Sequence, residues 1–374
     1  MPDCVGTTKA LSRNGDVAVK SIGIFHQGAL GDFLLSLPAV EGFYHLFGPL
    51  YMHFWTKSEY ASLFHGKAYA GRFFSPDDSR WAAFHMDDLT AAPALPPGVT
   101  QLDVFFLFGQ ENTKSVADLL SRRLRIPVHW IRSFPNEAVQ RPVTETLVDQ
   151  FHALGWPIPN RPVRVMADPA ESLLAEDILR NQGIAGGPFA VVHPGSGSLK
   201  KVWPLRNWWS LVRWLRNDVG IPVVLTLGPA DAPLHPFAET ARDELGAAVA
   251  SSLPLARLVA ILDLAALYVG NDSGITHLAA AVGTPSAAVF GPTAPEIWAP
   301  RGHNVQVIRR QWNPENVLHW DAKAADAPDE AAAAFVERAL AGESTRHSRD
   351  RRRNRGRGET AGKWGQPAAG SADS

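Results

Sequence analysis

From Ser21 onward the chain alternates short apolar runs with glycine-containing turns and longer helical stretches. The run Ile22–Phe25 ends in the turn GALGD, residues 28–32, and leads into the apolar stretch FLLSLPAVEGFYHLF. Leu50–Trp55 and Val104–Phe108 read as further strands, each followed by a segment that can be helical. After a proline-rich joint at Trp156–Pro169 the alternation becomes clearer. Pro188–His193, Pro222–Leu227, Leu267–Gly270 and Ser286–Phe290 have strand character; Leu205–Asn217, Leu255–Leu264 and Ile275–Val282 have helix character. Ala324–Ala341 reads as an alanine-rich terminal helix. Strands alternating with helices predict parallel sheets, and the joint predicts two α/β halves with a cleft between them.

The expected organisation is a loose leader over 1–20, a first domain over 21–168, a second over 169–342 and a disordered basic tail over 343–374. The tail has too little apolar content to offset the entropy of ordering. Its arginine run can meet anionic lipid headgroups or RNA, or simply be solvated. Trp203, Trp208, Trp209 and Trp214 cluster in and before one helix. At least two are expected in the core, and they are not read as a sugar platform.

Composition narrows the class. The 374 residues fit two domains at about 150 each. With 45% hydrophobic and 20% charged residues the chain reads as globular. A net charge of −1 supplies no global attraction to nucleic acid, so no nucleic-acid partner is expected. Cys4 is the single cysteine, which fits a reducing compartment and leaves no cysteine cluster for a metal. No apolar run reaches the ~18–20 residues of a spanning helix, and no signal-peptide core precedes residue 21. The expectation is a cytoplasmic protein.

Four loops follow strands, where open α/β sheets bind ligands. In Gly28–Asp32, Gly28 and Gly31 allow a tight turn, and Asp32 sits at the start of a helix as a possible cap or a functional carboxylate. His193–Pro204 offers Gly195, Ser196, Lys200 and Lys201, the flexible donors and cations a diphosphate needs. Asp231, after the strand VVLTL, is either a ribose acceptor or a turn-forming acid. Asn271–His277 places Asp272, Ser273, Gly274 and His277 at a helix entrance, with Asp272 also readable as an N-cap. FGPT at Phe290–Thr293 adds another strand-end turn on the same side.

The segments GALGDFLLSLPAV, VVHPGSGSLKKVWPLRNWWSLVRWL, VVLTLGPADAP and LYVGNDSGITHLAAAVGTPSAAVFGPT together resemble glycosyltransferase family 9, the ADP-heptose:lipopolysaccharide heptosyltransferases. The resemblance implies the GT-B architecture: two Rossmann-like domains with parallel sheets facing across a cleft, and a C-terminal helix crossing back. It implies an inverting, metal-independent enzyme with no cofactor beyond its nucleotide-sugar donor, for which ADP-heptose is the expected example. Asp32 takes the place of the family's general base, Lys201 that of its phosphate-binding lysine, and Asp231 that of an acid, usually Glu, that contacts ribose. Asp272, Ser273, Gly274 and His277 match the donor signature, with Ser196 and Lys200 in the neighbouring loop. The implied acceptor is a lipid-linked or polysaccharide glycan of the cell envelope, reached by peripheral contact with the cytoplasmic face of the inner membrane. His26, Gln27 and Gly28 depart from the Arg and Ser that family members carry before the GD turn, which leaves the acceptor open. Two other readings stay alive: a nucleotide-sugar 2-epimerase on the same architecture, and a non-catalytic nucleotide-sugar-binding protein.

Overall fold

The computed structural model describes residues 19–82, 94–135, 138–184, 186–324 and 326–342. The expected leader, apart from its last two residues, and the expected basic tail lie outside the described residues. Two parallel sheets are present. The first has the order β3-β2-β1-β4-β5, built from β1 Ser21–His26, β2 Tyr51–Trp55, β3 Ala70–Phe74, β4 Val104–Gly109 and β5 Val128–Arg132. The second has the order β11-β10-β9-β6-β7-β8, from β6 Ala190–His193, β7 Val223–Leu227, β8 Ala248–Ser251, β9 Leu267–Asn271, β10 Ser286–Phe290 and β11 Val305–Arg309. Each order reverses once, between β1 and β4 and between β6 and β9. These reversals are the topological switch points of doubly wound sheets, where a crevice opens beyond the strand ends. All four glycine-bearing loops leave strands at that edge.

The helices are α1 Leu30–Phe47, α2 Ser79–Ala82, α3 Lys114–Leu124, α4 Val143–Ala153, α5 Pro169–Asn181, α6 Leu205–Asn217, α7 His235–Leu245, α8 Leu255–Leu264, α9 Gly274–Val282 and α10 Pro295–Trp298, followed by a terminal helix over 330–342. That last helix starts six residues later than the alanine pattern predicts. Pro328 disfavours helix in the residue before it, and Asp329 caps the new start by accepting from the amides of Ala331 at 3.0 Å and Ala332 at 3.1 Å. Its buried face, Ala332, Phe335 and Val336, joins the core of the second domain. The crossing back expected from the resemblance is therefore not seen in this segment.

α1 positions the site. Every residue from Phe33 to Phe43 is buried, and all of them except Ser36 and Glu41 are apolar or glycine. A helix that is apolar nearly all round must be enclosed on all sides. It packs on α4 within its own domain and on α9 of the other, and its Phe43 meets Phe106 of β4 in the first sheet. Gly31 lies against Gly274 at the head of the α1–α9 pair. Further along, Leu34, Leu35 and Pro38 share a cavity wall with His277, Ala280 and Ala281, so the two helices run in the same direction. One apolar cluster accordingly runs from Ile22, Phe33 and Phe106 through α1 to Leu278, Ala279 and Val191. The floor of the cleft between the halves is a packed seam, with a cavity of about 190 Å³ beside it that both helices line. The seam is reinforced where the amide of Val165 donates to the Ala281 carbonyl at 2.9 Å and where Phe134 meets Trp298 with ring centroids 5.9 Å apart.

Gly42 shows how closely α1 is held. A Cβ there would stand 2.8 Å from the Pro159 carbonyl oxygen and 3.0 Å from Ile158 Cβ. In an open helix, alanine for glycine stabilises by ~1 kcal/mol. Here Gly42→Ala is expected to destabilise by about 1–3 kcal/mol through overpacking, read as a lower thermal midpoint. A raised midpoint would mean that the linker does not press on this helix.

Candidate active site

The α1–α9 pairing brings two helix N-termini side by side. Each carries about half a positive charge from its aligned peptide dipoles. Ser273 caps α9, its hydroxyl accepting from the Thr276 amide at 3.4 Å. Asp272 is therefore not the cap. Its carboxylate instead takes the Lys201 ammonium at 2.9 Å and the Thr293 hydroxyl at 2.7 Å, while only 6% of the residue is exposed. On α1 the cap position is Ala29, which has no capping side chain, and Asp32 stands three residues in, accepting a hydrogen bond from the Ala29 backbone. The capping reading of Asp32 is thus half met, with the acid in the position of the reciprocal partner.

Asp32 is half-buried, and desolvation raises its pKa above the usual carboxylate range. The Ala29 hydrogen bond, the Lys201 charge and Lys57 oppose the rise, while Asp272 adds to it. Two of those charges belong to the other domain, so the carboxylate feels the far wall of the cleft. Below it, His26 closes the GALGD turn by accepting the Gly28 amide on Nδ1 at 3.1 Å. A neutral ring accepting there carries its proton on Nε2, which has no hydrogen-bond partner among the described residues. Burial pushes the His26 pKa down to about 4, so the ring is neutral at physiological pH. Tyr60 fixes the same turn from the other side, donating to the Gly28 carbonyl at 3.2 Å. A Cβ on Gly28 would meet His26 Cε1 at 2.6 Å and Asp32 Cβ at 3.0 Å, which explains the glycine.

The loop after β6 is held from β9. Asn271, fully buried, accepts the Trp203 amide at 3.0 Å and donates to the carbonyls of Pro194 at 2.7 Å and Gly195 at 3.2 Å. Ser196 donates to the Asp272 carbonyl at 2.8 Å, so its hydroxyl bridges the two loops. Thr276 ties the Asn271 carbonyl and pairs with the Tyr268 hydroxyl at 2.9 Å. Lys201 faces Asp272, whereas Lys200 is exposed and forms no ion pair among the described residues. The structure separates the two lysines that the sequence presents as a pair.

Asp231 sits deep beside the loop after β6. Only 4% exposed, it accepts the Gly228 amide at 2.7 Å and lies 4.0 Å from His193. A Cβ on Gly195 would meet its Oδ1 at 2.1 Å. The turn-forming alternative has its hydrogen bond in place. His277 is 7% exposed, with burial pushing its pKa down to about 4, and a Cβ on Gly31 would stand 3.3 Å from its ring. It is a neutral group on the interdomain seam rather than a cation. Among the described residues, no group of three or more His, Cys, Asp or Glu is arranged to hold a metal ion.

Two doubly wound domains meeting through their strand-end loops define the GT-B class of sugar transferase folds. The profile of glycosyltransferase family 9 (heptosyltransferase) matches residues 121–323, and the chain belongs to that family. In fold the chain is similar to E. coli ADP-heptose lipopolysaccharide heptosyltransferase II, with a TM-score of 0.66 at 17% identity, covering 87% of this chain and 99% of that one. An E. coli heptosyltransferase solved with ADP gives a TM-score of 0.55 at 20% identity, covering 85% and 99%. In sequence it is 31% identical to lipopolysaccharide heptosyltransferase 3 of Escherichia coli over 32% of this chain and 36% of that protein. Against lipopolysaccharide heptosyltransferase 1 of E. coli K12 it is 31% identical over 40% of this chain and 46% of that protein. The chain thus spans between a third and a half of the length of these curated relatives.

Asn271 is the residue on which the β6 loop depends. Asn271→Ala leaves a buried amide and at least one buried carbonyl unpaired, an expected loss of about 1–3 kcal/mol per orphaned group, read as a lower urea midpoint. A midpoint equal to that of the parent would show that the loop is held by other contacts.

Proposed function

We propose that the protein is an inverting, metal-independent glycosyltransferase that moves heptose from ADP-heptose onto a cell-envelope glycolipid or polysaccharide. The observation that carries this reading is the placement of Asp32 across the seam from Lys201, Asp272 and the N-terminus of α9. The names of the similar proteins, several of them lipopolysaccharide heptosyltransferases and one solved with ADP, favour the same donor and acceptor classes.

In this reading the donor diphosphate lies against the two helix N-termini and the β6 loop. Lys201 turns from Asp272 to a phosphate oxygen and stabilises the charge that grows on it as the sugar–phosphate bond breaks. Asp32 accepts the proton of the acceptor hydroxyl. The acceptor oxygen bonds to the anomeric carbon from the face opposite the leaving group, the bonding pair departs with the nucleoside diphosphate, and the configuration inverts. The raised pKa of Asp32 suits a base, because its conjugate acid is weaker than an ordinary carboxylic acid. The acceptor is reached on the cytoplasmic side by peripheral contact with the inner membrane, a reading supported by the arginine-rich sequence of 343–374.

Asp32→Asn is expected to lose at least about a hundredfold in turnover, measured as ADP release with acceptor present. It should also be the more heat-stable protein at neutral pH. A carboxyl whose folded-state pKa is raised is destabilising when ionised, a penalty relieved as pH falls through the folded pKa, and the amide removes it. Retained turnover would take Asp32 out of the base role. In the parent enzyme kcat/KM should fall on the acid side at a higher pH than an ordinary carboxylate would give. Lys201→Ala should weaken ADP binding by calorimetry and slow turnover together; unchanged ADP affinity would remove Lys201 from the phosphate site.

A further inference from the structure

Beside the phosphate loop, on the β10–β11 flank of the second sheet, lies a cavity of about 460 Å³ that the mechanism does not use. Its size falls within the ~300–1,000 Å³ of small-molecule sites. One wall is Trp312, whose indole Nε1 donates to the Lys200 carbonyl at 3.3 Å. One side of that ring covers Gly291 so closely that a Cβ there would stand 2.2 Å from it, which fixes the indole in place. Around it stand Arg206 and Asn207 from the first turn of α6, and Gln311, Asn316 and His319 from the segment after β11. The side chains of Asn207, Gln311, Asn316 and His319 make no hydrogen bond to protein among the described residues. The segment that presents them is nevertheless anchored, since the Leu205 amide donates to the Val317 carbonyl at 2.7 Å and Val317 is buried in the second core.

We propose that this cavity is a subsite for a sugar unit of the acceptor glycan, one or more residues away from the hydroxyl that reacts. An immobilised aromatic face beside several uncommitted amides is the chemistry that recognises a pyranose. The C–H face of the sugar covers the indole, and its hydroxyls exchange hydrogen bonds with groups that both donate and accept. Here the lining is polar except for Trp312 and Pro204. The position also fits: the tie from Trp312 to Lys200 puts the cavity beside the loop that carries Lys201, and Trp312 covers Gly291, two residues before the Thr293 that bonds Asp272. A glycan whose reacting end lies at Asp32 can leave the cleft over this wall. The inference rests on the transferase reading, because it assigns the remote part of that reaction's acceptor.

The test uses the full chain and delipidated lipopolysaccharide core oligosaccharide as the probe, with ADP as a separate ligand. The unaltered protein should bind the oligosaccharide in a calorimetric titration. Trp312→Ala should weaken that binding at least tenfold, and leave ADP affinity within twofold. Because removing the indole can loosen the fold, Asn316→Ala and His319→Ala, both at exposed positions, provide a second arm in which a threefold or greater loss is expected with an unchanged thermal midpoint. Oligosaccharide affinity unchanged in all three variants, or no oligosaccharide binding by the unaltered protein, overturns the subsite. ADP affinity lost in Trp312→Ala while its thermal midpoint holds would reassign the cavity to the donor base, and also overturns it. Failure of the unaltered protein to bind ADP is a different result, because it removes the transferase reading itself.

Discussion

The packing of α1 on α9 is the constraint from which the rest follows. Two helices from different domains run side by side in the same direction and touch at Gly31 and Gly274. Parallel alignment places both positive ends together, an arrangement that is unfavourable unless negative charge collects there. Asp32 and Asp272 are the acids that collect, and Lys201 balances them. The close approach needs small residues, since a Cβ on Gly274 would stand 3.0 Å from the Gly31 nitrogen and from Leu30 Cβ. Fold and chemistry therefore meet in the same pair of glycines.

A second theme is how many polar groups near the cleft work for the loops and not for a ligand. Asn271, Ser196, Asp231 and Thr276 are buried and committed to backbone partners. Such fully satisfied buried networks hold a loop in one shape. His26 does the same in the first domain, as a neutral acceptor for the turn that carries Asp32. The two helix ends, Lys201 and the Asp32 carboxylate meet at the cleft and are placed to face a ligand there.

Much of this is legible in the chain. The strands that end in glycine loops are plain, and α6, α8 and β10 fall where their apolar periodicity puts them. The less apolar edge strands are not. β3 is AGRFF, β5 is VHWIR and β8 is AVAS; each is bordered on one side only, so none needs the continuous apolar run that marks a central strand. Alanine content places the terminal helix too early because it outweighs the stop signal of Pro328. In the site, residue types and loop positions are legible, while the division of labour within a loop is not. Adjacent lysines at 200 and 201 look alike in sequence, and only the fold shows which of them reaches Asp272. Parallel packing between distant segments such as α1 and α9 leaves no local signature beyond the glycines themselves.

The central claim is that the acid on one domain and the cation on the other form one electrostatic unit. It is tested most directly by measuring the Asp32 pKa through its side-chain carbonyl carbon in NMR, in the parent protein and in Lys201→Met. The account predicts that removing the ammonium moves the Asp32 pKa further upward. An Asp32 pKa that does not respond to Lys201 would contradict it, because the two groups would then not share a site.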